Sequence, residues 1–241
     1  MVNVNWDPVR PGKTILSELE ELAAFCSDHG AKGVSYHITP PFHSQVSKKS
    51  AAYHFGYAEE ISRMYRDPQI METDPIPDFV MHAGHPMTWN QIIDKMRVKL
   101  SDKQRGFLRL FRDHGFVDGV ACPLFGPMGR NSYFAVNFDR ELTEDDEAMV
   151  QPMVERARAC HNRICAMIRR REEDDIQLSP RESEIIYWIA RGKTNYEMAI
   201  ILGISESSVV TYVRRMFKKL DATDRVTAVI NGLERSLVKL D

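Results

Sequence analysis

The stretch Ser179–Leu220, SPRESEIIYWIARGKTNYEMAIILGISESSVVTYVRRMFKKL, constrains the fold more than any other part of the chain. Its spacing requires two short helices that cross steeply around a tight turn. Ala199 is small enough for a close helix crossing, Gly203 stands four residues later where the turn needs a positive φ, and Val209 packs back into the corner. Ser179 with Glu182 three residues on, and Pro180 in the first turn, predict a capping box that starts a scaffold helix running to Ala190 and ending at Gly192. That helix buries Ile185, Ile186, Trp188 and Ile189. Ser205 caps a later helix whose inner face carries Val209, Val213 or Tyr212, Met216, Phe217 and Leu220. Its outer face holds Ser207, Ser208, Thr211, Arg214, Arg215, Lys218 and Lys219. Short hydroxyls at the start can approach base edges in a major groove, and the cations behind them can meet phosphates.

On these residues the segment resembles the DNA-binding domain of the LuxR family of bacterial regulators, a four-helix helix-turn-helix module. The matching positions include Leu178, Pro180, Arg181, Glu182, Ile186, Ala190, Gly192, Lys193, Thr194, Asn195, Glu197, Ala199, Leu202, Ser205, Val209, Lys219, Leu220 and Arg225. Val210, Tyr212 and Arg215 depart from the pattern, standing where the family usually has Lys or Arg, His and Asn. The missing cation at Val210 leaves Arg214, Thr211 and Ser207 as the base-reading candidates, with Thr194, Ser205, Ser208, Arg215 and Lys218 completing the DNA-binding set.

Composition is that of an ordinary globular protein, 43% hydrophobic and 27% charged over 241 residues, enough for two modest cores. The net charge of −2 divides unevenly, with 10 Lys+Arg against 8 Asp+Glu after Gln177. A mildly basic tail on an acidic remainder suits a DNA reader joined to a domain with another task. No apolar run approaches a membrane span and the start, MVNVNWDPVR, lacks the pattern of a signal peptide, so a cytoplasmic protein with no membrane partner is expected. Cys26, Cys122, Cys160 and Cys165 are too scattered for a disulfide framework and read as reduced thiols. The charge run Arg169–Asp175 marks a helix end passing into a linker. Expected domains are therefore 1–168, a linker at 169–177, and 178–241.

Upstream, helical and strand periods alternate. Thr14–His29 carries one amphipathic stripe, Val34–Ile38 alternates as a strand, and Phe79–His82 reads as a further strand. Gly119–Phe125 and Ser132–Phe138 form a hairpin around Gly126–Gly129. Ile92–His114 is helical with a break near Ser101, and Thr143 with Asp146 caps a helix whose stripe runs from Met149 to Ile168. The fold class expected is α+β: an N-terminal α/β/α sandwich with a small antiparallel sheet, then an all-α four-helix helix-turn-helix domain.

Tyr57, Tyr65, Asp74-Pro75 and Trp89 resemble the acyl-homoserine-lactone-binding domain of the same family, and Phe107, Phe111, Gly115, Gly119, Pro123, Gly129 and Ser132 extend the resemblance. It implies a small-molecule site built from Tyr57, Ile61, Tyr65, Asp74, Trp89, Phe107, Phe111 and Ser132. A carboxylate at Asp74 can accept a ligand N–H, Tyr57 can donate to a carbonyl, and the aromatics can wall an apolar cavity. Ile61 occupies the position of the family's Trp, whose indole N–H meets the lactone carbonyl, and Ala58 replaces a usual Pro. Losing one buried donor costs roughly 1–3 kcal/mol of affinity, about ten- to a hundred-fold, which points to an altered ligand specificity.

His82 and His85 in HAGH lack a third ligand, so neither metal nor cofactor is expected. No GxSxG elbow, phosphate-binding glycine loop or HExxH is present, and no enzymatic reading is favoured. Two alternatives use the same tail. One is a phosphorylation-controlled response regulator, whose parallel sheet needs early acids that GVSYHI lacks. The other is a ligand-independent DNA-binding protein whose front half only dimerises. The expected partners are a small signal molecule, a second copy of the chain and duplex DNA with an inverted-repeat operator.

Overall fold

Short polar residues start several of the helices. In the computed structural model, which describes residues 12–39, 50–65, 73–96, 99–235 and 237–238 and gives only the backbone of 128 and 170–175, Thr14 opens α1 (Ile15–Asp28). Its hydroxyl accepts the Ser17 N–H, and the Ser17 hydroxyl reaches back to the Thr14 N–H. Leu19, Leu22, Ala23 and Cys26 fall on one face and are buried. The same device at Ser101 and Gln104 accounts for the expected break, because one helix ends at Met96 and Ser101 caps the next.

The chain divides into two compact units, Met1–Ala166 and Met167–Asp241. In the first, β1 (Gly33–Thr39), β2 (Ala51–Phe55), β3 (Met87–Thr88), β4 (Asp118–Leu124) and β5 (Asn131–Phe138) form one sheet in the order β2-β1-β5-β4-β3, every neighbour antiparallel. That topology is not the parallel sheet of a receiver domain, which removes the response-regulator alternative. Both faces are covered, giving the α/β/α sandwich. Against one face lie α2 (Glu59–Met64), α3 (Ile76–Ala83), α4 (Trp89–Met96) and α5 (Asp102–Asp113), sharing a core with Met87, Ala121, Tyr133 and Ala135. On the other, the Tyr36 hydroxyl meets Nδ1 of His161 at 2.7 Å on the long α6 (Glu147–Asp175), and Cys160 of that helix approaches the Glu18 carbonyl of α1.

Three differences from the sequence reading stand out. Phe79–His82 is not a strand but lies inside α3, where Ile76 and Val80 supply an i, i+4 buried pair, Pro77 sits in the first turn and Gly84 closes the helix at φ 76°. A four-residue apolar run carries too little period to separate helix from strand. The elements β2, β3 and α2 were not anticipated. The helix α6 continues through Asp175, so most of the segment read as linker is helical.

Asp118 is fully buried and accepts from the Asn90 N–H and Nδ2 and from the Gly119 and Leu142 N–H groups. It ties the first turn of α4, and with it Trp89, to the sheet. All four cysteines are free and buried, and no helix of the described residues is long and apolar enough to cross a membrane.

The second unit contains α7 (Pro180–Ala190), α8 (Asn195–Leu202), α9 (Glu206–Leu220) and α10 (Arg225–Glu234), the four helices expected. Ile185, Ile186, Ile189, Met198, Ala199, Val209, Met216 and Leu220 form its core; Trp188, Tyr212, Val213 and Phe217 are partly buried against it. Gly203 adopts φ 65°, as the turn requires. Glu182 is buried under Lys219, whose ammonium bonds the carboxylate at 2.6 Å and the Gln177 carbonyl at 3.0 Å. Burial opposes ionisation of Glu182, but the Lys219 ammonium and the Ser179 N–H outweigh it and hold the carboxyl below its ordinary range. Lys219→Met is expected to cost about 1–2 kcal/mol, less than for a fully buried pair because Lys219 is partly solvated. Since the depressed carboxyl contributes above its unfolded value and loses that contribution as pH falls through the folded one, the difference between wild type and variant in chemical denaturation should shrink on acidification.

Candidate functional site

Seven of the eight residues named for the ligand site come together in the first unit. Ile61, Tyr65, Trp89, Phe107 and Phe111 are buried in one cluster, with Tyr57 half-buried against it. The helix α2 places Ile61 and Tyr65 four residues apart on its inner face. Edge-on contacts link Tyr65 with Phe107 and Phe111, and Trp89 with Phe111, at centroid separations of 5.8–6.0 Å.

Among the described residues, Asp74 joins this cluster as its one buried carboxylate. Its Oδ2 accepts from the Tyr65 hydroxyl at 2.7 Å and its Oδ1 from the Ile76 N–H at 3.0 Å. Burial pushes its pKa up to about 6, with those two bonds opposing the shift. Tyr57 accepts from Nδ2 of Asn137, and burial followed by the Asp74 charge raises the Tyr65 hydroxyl well above its usual range.

Ser132 is not brought to this cluster. In β5, Tyr133 and Ala135 face the aromatics, so alternation turns Ser132 to the opposite face, where it pairs in register with Ile38 and approaches the Tyr36 hydroxyl. The same alternation reveals what sequence reading missed. Ser35 and His37 of β1, paired in register with Ala135 and Tyr133, share the aromatic face, and both are buried. His54 of β2 stands beside them: Nε2 of His37 and Nε2 of His54 are 3.1 Å apart, and the His54 ring lies 4.5 Å from that of Tyr65 and 5.0 Å from that of Tyr57. Desolvation lowers both imidazoles, His37 to about 3 and His54 to about 4.

A cleft of about 670 Å³, lined in part by Thr88, Gln91, Asp94, Glu144 and Glu147, lies elsewhere and touches none of the expected ligand residues. His82 and His85 are exposed and bond backbone carbonyls through Nδ1. Among the described residues no group of three His, Cys, Asp or Glu is placed to hold a metal ion.

In the second unit, the outer face of α9 presents Ser207, Thr211, Arg214, Arg215 and Lys218 to solvent, with Ser208 half-buried. Val210 is 41% exposed and lies on the same face, between Ser207 and Arg214. The start of the helix is held by a set of hydroxyls. Ser205 Oγ accepts the Ser208 N–H and meets the Ser207 and Ser208 hydroxyls at 2.9 and 2.8 Å, while Thr211 bonds back to the Ser207 carbonyl. Thr194 caps α8 through a capping box with Glu197 and is exposed. Lys219, placed by spacing on the outer face, is instead committed to Glu182.

A sandwich with a lined aromatic face, joined to a helix-turn-helix with a cationic outer face, defines a ligand-responsive, DNA-binding transcriptional regulator. Residues 17–164 match the autoinducer binding domain, and residues 176–231 match the bacterial regulatory proteins of the luxR family. The chain belongs to the LuxR family of autoinducer-binding regulators. It is 27% identical over 186 residues to the quorum sensing-dependent regulator RpaR of Rhodopseudomonas palustris, covering 77% of this chain and 74% of that protein. To the transcriptional activator EchR of Dickeya chrysanthemi it is 26% identical over 196 residues, covering 76% and 77%. The fold is also that of SdiA from Escherichia coli, with a TM-score of 0.72 at 22% identity over 94% of this chain and 93% of that one.

Proposed function

We propose that the first unit binds an uncharged small signal molecule on the aromatic face of its sheet, and that α9 reads an inverted-repeat operator in the major groove as part of a symmetric dimer. One observation carries the ligand reading: a buried carboxylate, Asp74, with two donors among the described residues, set among Tyr57, Ile61, Tyr65, Trp89, Phe107 and Phe111. A carboxylate has room for about four donors, so Asp74 can still accept from a ligand N–H or O–H. RpaR is described as quorum sensing-dependent, which supports an acyl-homoserine lactone or a related signal. Ile61, buried within the cluster, has no hydrogen to offer a lactone carbonyl and supports a related signal rather than an ordinary straight-chain lactone.

Thermal-shift titration of the full chain with straight-chain acyl-homoserine lactones tests this, because a ligand bound only by the folded state raises stability as its concentration exceeds Kd. Weak or absent response to those lactones, with stabilisation by another uncharged amphiphile, is the expected result. Tight lactone binding with Ile61 against the lactone would end the altered-specificity reading. No response to any small molecule would favour a front domain that serves dimerisation alone.

For the DNA face, Arg214→Ala is expected to lose about 1–3 kcal/mol of specific binding and to relax preference at one operator position. Lys218→Ala should weaken specific and random duplexes alike and lower the salt slope by about 1. Fluorescence anisotropy on both duplexes across a salt series distinguishes the two roles. Val210 adds an apolar surface suited to a thymine methyl group; replacing the contacted dT by deoxyuridine in a selected site should weaken the wild type and leave Val210→Ala indifferent.

A further inference from the structure

The His37–His54 pair is not accounted for by the aromatic wall or by Asp74. Both rings are neutral at pH 7, because burial lowers them to about 3 and about 4. Their Nε2–Nε2 contact at 3.1 Å is then a single N–H···N bond, so one ring carries its proton on Nε2 and the other on Nδ1. Nδ1 of His37, on a side chain from a residue 4% exposed, has no partner among the described residues. An unpartnered buried N–H is rarer than an under-used acceptor. The favoured arrangement therefore has His37 donate through Nε2 and present a bare Nδ1 lone pair, with the proton of the less buried His54 on its own Nδ1.

The rest of this face has the same bias. Asp74 retains spare lone pairs, and Oδ1 of the fully buried Asn137 has no partner among the described residues. The Trp89 indole N–H is the one exception: it is buried near Tyr133 and has no hydrogen-bond partner among the described residues. Ile61 contributes no donor. The described residues that make up this face include the Asp74 carboxylate and no lysine or arginine. An anionic head would meet that carboxylate without a countercharge, and a head that only accepts would leave the lone pairs unfilled.

We propose that His37 reads the ligand head, and that the site selects an uncharged amphiphile whose head donates a hydrogen bond, as a hydroxyl does. This rests on the small-molecule reading above. It adds which atom on the protein recognises the head and which hydrogen-bonding class of head is accepted. The tautomeric freedom of the pair also lets Nδ1 become a donor without creating a charge, which explains how a neutral carbonyl can be tolerated at lower affinity.

The test uses the full chain and three probes with one acyl or alkanoyl chain: N-octanoylethanolamine, its O-methyl ether, and octanoate. By isothermal titration, the alcohol is expected to bind about ten-fold or more tighter than the ether, and octanoate more weakly than either. His37→Phe should bind alcohol and ether alike. In wild-type protein, the ¹⁵N resonance of His37 Nδ1 should move on adding the alcohol and stay in place on adding the ether, a readout that stands even if His37→Phe fails to fold. Equal affinity for alcohol and ether in the wild type, discrimination that survives His37→Phe, a preference for octanoate, or an unmoved Nδ1 resonance in the alcohol complex would each overturn the proposal. If none of the three binds while a lactone does, the proposal falls and the small-molecule reading remains.

Discussion

Asp74→Asn is expected to make the protein more stable at pH 7 and far less responsive to its ligand. The Asp74 carboxyl has a folded pKa near 6, raised by burial against the help of Tyr65 and Ile76. A raised acid binds its proton more tightly in the folded chain, so stability is greatest below the unfolded value near 4 and falls as pH rises toward 6. At neutral pH the full penalty applies, about 3 kcal/mol at most. An asparagine carries no charge, can accept from Ile76 and can donate to the Tyr65 oxygen, so a net gain of about 1–2 kcal/mol is expected. It loses the charge-assisted acceptor proposed for the ligand, an expected effect of about ten- to a hundred-fold in affinity. Urea denaturation at pH 7 and pH 4, with ligand titration, checks both halves. A variant less stable than wild type at pH 7 would falsify the electrostatic account of Asp74.

Acid should unfold the first unit before the second, with the histidine pair as the main cause. The folded values of His37 and His54 lie below the ordinary imidazole value near 6.5. The unfolded chain then takes up the protons first, so the stability that these rings contribute is complete above pH 6.5 and is lost as pH falls through about 4 and about 3. The groups facing them are the Tyr57, Tyr65 and Tyr133 rings, with Asp74 one bond beyond Tyr65. Asp74 acts in the opposite sense over pH 4 to 6, but it is one carboxyl against two rings. It also becomes neutral near pH 6 and so withdraws the negative charge that could have sheltered an imidazolium. The net loss by pH 4 is several kcal/mol, on the scale of a domain's whole stability. Tryptophan fluorescence and near-ultraviolet circular dichroism across pH 7 to 4 should show this transition, and the double variant His37→Phe/His54→Phe should shift it to lower pH. Coincident transitions in wild type and variant would exclude the pair as the cause.

Much of the second unit was legible because its geometry is enforced locally. The hydroxyls of Ser179 and Ser205, the positive φ of Gly203 and the small Ala199 each leave a mark at a fixed offset, and each is found in the expected role. Lys219 shows where that logic stops. Spacing places it on the DNA side, but its ammonium folds over α9 to a carboxylate 37 positions away in sequence.

In the first unit the aromatic wall and Asp74 were legible, and Ser35 and the His37–His54 pair were not. The run Val34–Ile38 does alternate, and the natural inference assigns Val34, Tyr36 and Ile38 to the core and Ser35 and His37 to water. That inference holds for a sheet with one wet face. Here helices cover both faces, so the polar side of the strand is the interior side with chemistry on it. Ser132 was misplaced for the same reason: one residue along a strand exchanges its face. His54 belongs to β2, a strand whose AAYHF has no alternating pattern to declare it, and its place beside His37 depends on register across the sheet.

The hydroxyl set at the start of α9 bears on how faithfully the protein can choose among genomic sites. Ser205, Ser207 and Ser208 each have a neighbour that can either give or receive a proton. With α9 in the major groove as proposed, rotation about their C–O bonds would offer a base edge whichever complement it lacks, with no heavy atom displaced. A substitution in the base pair met by this end of the helix should be absorbed, whereas one at the pair met by Arg214 should not. Target sequences would then diverge along a population of promoters at the outer steps of each half-site and stay fixed within.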